Sequence, residues 1–198
     1  MHEIEYNSQR DNKNFNGTFP GWRQCFSTCS WMLMSFYSKE IIVSDDIGLS
    51  KYLDDVEVSI GSKGIGEKIF KSEGASSFWW TVQQAGITKW LNDHGINGSA
   101  EFYDCTKGFF DLKNILDHDP VIIGTSKLGG LSGGHIILVT GYDSVSLIIN
   151  DPFGDANTNY GLHNGHQVHY NFNFLMQHCI YKTPDKIRCM YFQREVTE

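Results

Sequence analysis

The pattern of hydrophobic and polar positions changes character about halfway along the chain. In the first half, apolar residues recur at helical spacing, whereas in the second half they form short runs between turn residues. A charge-free stretch at 26–37 contains neither Pro nor Gly, and within it Cys29, Met32 and Phe36 recur every three or four residues. This periodicity predicts a mostly buried helix that begins near Cys25.

Further helices are predicted in the first half of the chain. Residues 44–96 have a helical pattern that starts with an N-cap cluster at 44–46, breaks at the glycine-rich 61–66 and stops at Gly95. An amphipathic pattern over 109–116 predicts one more short helix.

Short apolar runs in the second half predict strands, and Asp143-Ser144 between two of them predicts a tight hairpin. The predicted strands are residues 121–125, 135–142, 145–150, 167–170 and 188–193. Helices followed by an antiparallel sheet indicate a single α+β domain over 1–198. We expect a helical lobe over about 20–118 and a sheet lobe over about 119–198.

Composition narrows the class of protein. The 198 residues suit one domain, and 40% hydrophobic content is enough to bury a core. The net charge of −7, without a basic block, argues against nucleic acid or an anionic membrane as the main partner. No apolar run approaches the roughly 18 residues that a membrane span needs.

The N-terminal residues and the cysteines indicate in which cellular compartment the protein is synthesised. Residues 1–6 are polar and acidic, unlike a signal peptide, and five cysteines are too few and too scattered for a disulfide framework. We therefore expect synthesis in the cytoplasm without a signal peptide. No cofactor is predicted.

Cys25 is the first candidate for chemistry. At the first turn of a helix, with Ser27 or Thr28 as cap, its thiol would lie near exposed N–H groups and the positive end of the helix dipole, which favour the thiolate nucleophile. Two alternatives remain for Cys25 and Cys29: buried core residues, or two metal ligands on one helix face.

A cysteine nucleophile needs a base, and the base needs an orienting acceptor. His135 opens a predicted strand after two glycines, and Asp151 closes the partner strand before Pro152. A hairpin that turns near Asp143-Ser144 places His135 and Asp151 opposite each other. Taken singly, His135 would be a core histidine and Asp151 a turn residue; together with Cys25, they favour a catalytic set.

Other histidines leave a metal site open as an alternative. The spacing lacks a tight Cys-x2-Cys or His-x3-His pair, so this alternative is disfavoured and no metal is predicted. The residues concerned are His163, His166, His169, His178 and Cys179.

An oxyanion hole would combine the Cys25 backbone N–H with a side-chain donor upstream. Gln24 adjoins the nucleophile, so its side chain is expected to point away from the pocket. Gln9 is the preferred donor, provided that the irregular lead-in at 7–24 folds back; the alternative is a solvated loop glutamine.

At this point the chain resembles the papain-like cysteine peptidases, and within them the bacteriocin-leader (double-glycine) peptidases of family thirty-nine and their stand-alone phage and bacterial relatives. Their helix motif is similar to Cys25-Phe26-Ser27-Thr28-Cys29-Ser30-Trp31-Met32, and their later blocks to Gly134-His135, Gly141-Tyr142 and Asp151-Pro152-Phe153-Gly154. Gln9-Arg10-Asp11-Asn12 resembles the upstream block of the stand-alone relatives. Phe26 departs from the pattern, because a small residue is usual there, and a bulky one would narrow the cleft.

The resemblance implies a papain-like two-lobed fold and a cysteine peptidase with Cys25, His135, Asp151 and Gln9 in catalytic roles. Among substrates, it favours the peptide crosslinks of peptidoglycan, as for a phage endolysin that acts on the cell wall after release. The alternatives are a peptidase that cuts a protein or a leader peptide, and a non-catalytic module that binds a peptide on the same fold.

Overall fold

The computed structural model describes residues 1–11, 24–38, 75–178 and 187–195. Several predicted features lie outside these residues: most of the lead-in before Gln24, the helical pattern and cap between 44 and 74, the glycine-rich break at 61–66, and Cys179.

Across the described residues, six strands form one antiparallel sheet in the order β1-β6-β2-β3-β4-β5. The strands are β1 (Gly98–Cys105), β2 (Val121–Ser126), β3 (Gly134–Tyr142), β4 (Ser146–Asn150), β5 (Val168–Asn171) and β6 (Ile187–Arg194). The helices are α1 (Cys25–Tyr37), α2 (Ala75–Asp93), α3 (Phe109–Leu116) and α4 (Phe172–Met176). Short 3-10 turns occur at Gln9–Asp11, Leu128–Gly130 and Ala156–Thr158.

Helices cover both faces of the sheet, which explains why β2 is a continuous apolar run rather than an alternating one. Ile122 and Leu138 point to one face, where they pack with α1 and α2. Val121 and Ile123 point to the other face, where they pack with α3. The α+β class is thereby confirmed, together with α1, α3 and strands β2 to β6.

The prediction missed β1 and α4. β1 lies inside the range assigned to the helical lobe, yet it pairs with β6 along its whole length, from Gly98 opposite Arg194 to Cys105 opposite Ile187. β6 also pairs with β2. The last strand in the chain therefore joins β1 to the rest of the sheet.

The β3–β4 hairpin has a different register from the predicted one. An opposed His135 and Asp151 would put Ile136 opposite Asn150, but Asn150 faces Leu138. The turn extends to Ser146, whose backbone N–H donates to the Asp143 carboxylate at 2.7 Å, and a bulge between Val139 and Gly141 shifts the register again. The predicted direct opposition was wrong by two residues.

None of the helices in the described ranges combines the length and the apolar character that crossing a bilayer requires.

Candidate active site

Cys25 is the first residue of α1, as predicted, and its side chain is partly exposed. The predicted side-chain cap was wrong, because Gln24 occupies the N-cap position without a capping hydrogen bond. The Thr28 hydroxyl instead donates to the Gln24 carbonyl at 2.8 Å, one turn back along the helix. Cys29, one turn further on, is fully buried. The two cysteines thus differ in access as expected.

α1 packs against β3, and this contact brings the thiol to the imidazole. Cys29 Sγ donates to the Ile136 carbonyl at 3.5 Å. One helical turn earlier, the Cys25 thiol lies close enough to His135 to help raise the pKa of the imidazole. A helix start and a strand start thereby bring two residues 110 positions apart in sequence close together.

His135 forms a buried ion pair with Asp151, with 2.7 Å between Nε2 and Oδ1. The His135 side chain is 3% exposed and that of Asp151 is 0% exposed. Burial lowers the pKa of His135, but the charge and hydrogen bond of Asp151, aided by Cys25, outweigh it and raise that pKa to about 10. Because Nε2 faces Asp151, the other ring nitrogen, Nδ1, is left for the thiol.

Asp151 accepts hydrogen bonds at both carboxylate oxygens. Oδ1, which faces His135, also accepts from the Phe153 backbone N–H at 2.9 Å. Oδ2 accepts from the hydroxyls of Tyr160, at 3.2 Å, and Tyr170, at 2.9 Å. A fully buried carboxylate requires such donors, because an unsatisfied charge in the interior is costly.

Aromatic rings enclose the imidazole. Phe153 and Tyr160 meet the His135 ring edge to face, with centroids 6.1 and 5.9 Å away. The Arg10 guanidinium lies 5.2 Å from the centre of the Phe153 ring and donates to the carbonyls of Phe153 and Tyr160, both at 3.3 Å. The Asp-Pro-Phe-Gly segment is thereby tied to the N-terminal residues.

The N-terminal segment lies against the loop that follows β4. The Tyr6 hydroxyl donates to the Asp151 carbonyl at 3.0 Å and accepts from the Gly165 N–H at 3.0 Å. The Gln9 backbone N–H donates to the Pro152 carbonyl at 2.8 Å, and the Gln9 side chain is buried. Gln24 is also buried. Gln9 is therefore not a solvated loop glutamine, and its backbone is held next to Asp151.

The Phe26 side chain lies in the core and not in the cleft, where the sequence suggested it would be. Its side chain is 8% exposed and packs edge to face on Trp80, with ring centroids 4.6 Å apart. Trp80 in turn contacts Phe102 on β1. The bulky residue after Cys25 therefore fills the core between α1 and α2, and the expected narrowing of a cleft by this ring was wrong.

Three of the other histidines contact groups other than Cys25. His163 contacts Ser8 and Asp11, and His169 contacts Asp143. His178 contacts the Ser126 carbonyl. Over the part of the chain that the structure describes, no three His, Cys, Asp or Glu side chains are grouped as metal ligands.

Sequence reasoning missed the tyrosines around Asp151. Tyr160 and Tyr170 follow Asp151 by 9 and 19 residues, and Tyr6 precedes it by 145. The loops that connect these tyrosines to Asp151 are irregular, so no fixed sequence spacing indicates that the hydroxyls reach the carboxylate. The only available signal was the concentration of tyrosines after Asp-Pro-Phe-Gly.

A mixed α+β fold in which a helix-start cysteine lies near a histidine, itself paired with a carboxylate, has the arrangement of a cysteine peptidase. The model of the Peptidase_C39 like family matches residues 1–176, and the chain belongs to this family of cysteine peptidases. The expected membership is thereby confirmed.

Among solved structures, the chain is similar to the Pseudomonas avirulence protein AvrPphB, with 13% identity over 97% of each chain and a TM-score of 0.37. No curated protein matches the chain.

Proposed function

We propose that Cys25, His135 and Asp151 form the catalytic triad of this peptidase and hydrolyse an amide bond. The observation that carries the proposal is the buried pair of His135 Nε2 and Asp151 Oδ1, 2.7 Å apart, at the start of β3, where α1 presents the nearby Cys25 thiol. Partial exposure of Cys25 alone among Cys25, Cys29, Cys105 and Cys189 supports its role as the nucleophile.

In the proposed reaction, His135 is the protonated imidazolium beside the Cys25 thiolate, and the thiolate attacks the carbonyl carbon of the scissile bond. The imidazolium then donates its proton to the leaving amine, so the C–N bond breaks and a thioester remains on Cys25. His135 next takes a proton from water, whose oxygen attacks the thioester. The C–S bond breaks, the acid product leaves, and the thiolate and imidazolium are restored. Asp151 orients the ring and stabilises the imidazolium throughout.

The tetrahedral oxyanion would be stabilised by the Cys25 backbone N–H and the Gln9 side chain. The first N–H groups of a helix have no partner within the helix, so that of Cys25 can serve the substrate. The burial of Gln9 and its backbone bond to Pro152 support this choice. Gln24 is the alternative donor.

For the substrate, we propose a peptide crosslink of peptidoglycan. The support is the resemblance of residues 9–12 to the upstream block of stand-alone phage and bacterial relatives. A net charge of −7 opposes approach to anionic wall polymers, so we expect wall hydrolysis to accelerate as salt screens that repulsion.

Purified bacterial cell walls test the function directly. Wild-type protein should reduce their turbidity and release muropeptides with new termini detectable by mass spectrometry, whereas Cys25→Ala should release none. Cleavage of a peptide library but not of walls would assign a protein- or leader-directed peptidase. Binding of either substrate with no cleavage would favour a peptide-binding module and overturn the triad.

A further inference from the structure

Resting on the proposed triad, we infer that Tyr160 and Tyr170 are positioning residues that hold Asp151 so that Oδ1 faces His135. Their hydroxyls both donate to Oδ2, at 3.2 and 2.9 Å, and their side chains are 7% and 0% exposed. Both hydroxyls act on the site through their hydrogen bonds to Asp151.

The two oxygens of Asp151 are made unequal by their donors. Oδ1 meets His135 Nε2 and the Phe153 N–H, whereas Oδ2 meets only hydroxyl donors. Rotation of the carboxylate would break all of these bonds together. The carboxylate is thus locked in one orientation, and that orientation fixes the imidazole ring.

The hydroxyls of Tyr160 and Tyr170 act as hydrogen-bond donors to Asp151. Burial, followed by the negative charge of Asp151, raises the pKa of Tyr160 and of Tyr170. Each hydroxyl therefore keeps its proton. Tyr170 also accepts from the Ala156 N–H at 2.8 Å, and this bond polarises its hydroxyl toward the carboxylate.

The backbone conformation at Tyr160 and its neighbours determine where the Tyr160 ring lies. Tyr160 has a φ of 61°, a left-handed conformation that is costly for a bulky side chain. Its ring lies so close to Gly129 that a Cβ there would approach Tyr160 Cε2 to 2.6 Å. Its carbonyl is held by Arg10. Such strain is retained where a precise side-chain position matters.

The test is the pH profile of Cys25 alkylation by iodoacetamide in the full chain, followed by peptide mass spectrometry. Wild-type Cys25 should be alkylated well ahead of the buried Cys29, Cys105 and Cys189. Tyr160→Phe should slow this reaction at neutral pH by about 10-fold or more, as expected for one hydrogen bond to a charged group. The substitution should also narrow the pH range over which Cys25 is alkylated, because the Asp151 carboxylate then orients the His135 ring less strictly. Tyr170→Phe should do the same.

Tyr37→Phe is the matched control. Tyr37 is also buried and donates to a carboxylate, that of Asp119, at 2.8 Å, but it lies outside the site. Its loss should lower thermal stability and leave the Cys25 profile unchanged. If Tyr160→Phe behaves like Tyr37→Phe, or reacts faster than wild type, the positioning role is overturned. If wild-type Cys25 reacts only as a free thiol does, the proposed triad itself fails.

Discussion

The Cys29 thiol donates to the Ile136 carbonyl at 3.5 Å, and this bond joins α1 to β3 next to Cys25 and His135. Cys25 precedes Cys29 by one helical turn, and His135 precedes Ile136 by one residue. The buried cysteine thus sets the distance between the exposed cysteine and the histidine. At the contact between α1 and β3, the Cys29 thiol holds the two elements together, and the Cys25 thiol is left near His135.

We expect Cys25→Ala to abolish turnover while leaving the thermal midpoint nearly unchanged, because a partly exposed thiol contributes little to packing. Cys29→Ser should keep activity, since a hydroxyl can donate to Ile136, with a stability loss of about 1 kcal/mol. Peptide hydrolysis assays measure the turnover of both variants, and thermal unfolding measures their stability. An active Cys25→Ala with an inactive Cys29→Ser would exchange the assigned roles.

Asp151→Asn should slow hydrolysis less than His135→Ala, because an amide oxygen can still accept from Nε2. The amide NH2 would then meet the hydroxyls of Tyr160 and Tyr170, which now donate to Oδ2. We therefore expect a stability loss of about 1–3 kcal/mol. Steady-state kinetics and urea unfolding give both numbers. Equal stability of Asp151→Asn and wild type would contradict the buried-donor account.

Stability should depend on pH through His135. Its pKa is raised from 6.5 to about 10, so the folded state binds the proton more tightly than the unfolded state does. The resulting stabilisation is complete below about pH 6.5 and is lost as the pH rises through about 10. Urea unfolding across this window should show falling stability, and His135→Ala should remove much of the slope.

Gln9→Ala should lower kcat about 100-fold or more, with a smaller change in KM, if its amide stabilises the oxyanion. Gln24→Ala is the comparison, because both glutamines are buried and Gln24, at the N-cap position of α1, is the alternative donor. Single-turnover kinetics on one peptide substrate separate the two. A larger loss for Gln24→Ala would transfer the oxyanion role to that residue.

Gly165→Ala should destabilise the protein and reduce activity. A Cβ at this position would overlap the Asp151 carbonyl oxygen and approach the Gly154 carbonyl oxygen to 2.7 Å, and neither backbone atom can yield cheaply. We expect a loss of about 1–3 kcal/mol. Gly133→Ala is the control, since a Cβ there meets no atom within 4 Å. Similar melting temperatures for the two variants would refute the close-approach argument.

The sequence predicted most of the sheet because β2 to β4 are rich in Ile and Val and are bounded by turn residues. β1 escaped prediction because it carries Gly, Ser and Asp and is buried irregularly along its length. Its strand conformation depends on pairing with β6, which is nearly 90 residues away. Local propensity cannot report such a partner.

The site could be predicted in its membership but not in its geometry. Cys25, His135 and Asp151 stand in a recognisable order along the chain, His135 pairs with Asp151 at 2.7 Å, and their role as a triad stays a prediction. The predicted opposition of His135 and Asp151 failed because an extended turn and the bulge before Gly141 alter the register. The hydroxyls of Tyr160 and Tyr170 could not be foreseen, since they reach Asp151 through loops of irregular conformation.

The placement of β6 has a practical consequence for anyone who shortens this protein. The family match ends at residue 176, yet β6 begins at Ile187 and fills the gap between β1 and β2. A gene trimmed at the edge of the match would encode a sheet split in two, with the sites that bury Met190 and Phe192 left vacant. Such a truncation should yield insoluble material rather than a minimal enzyme.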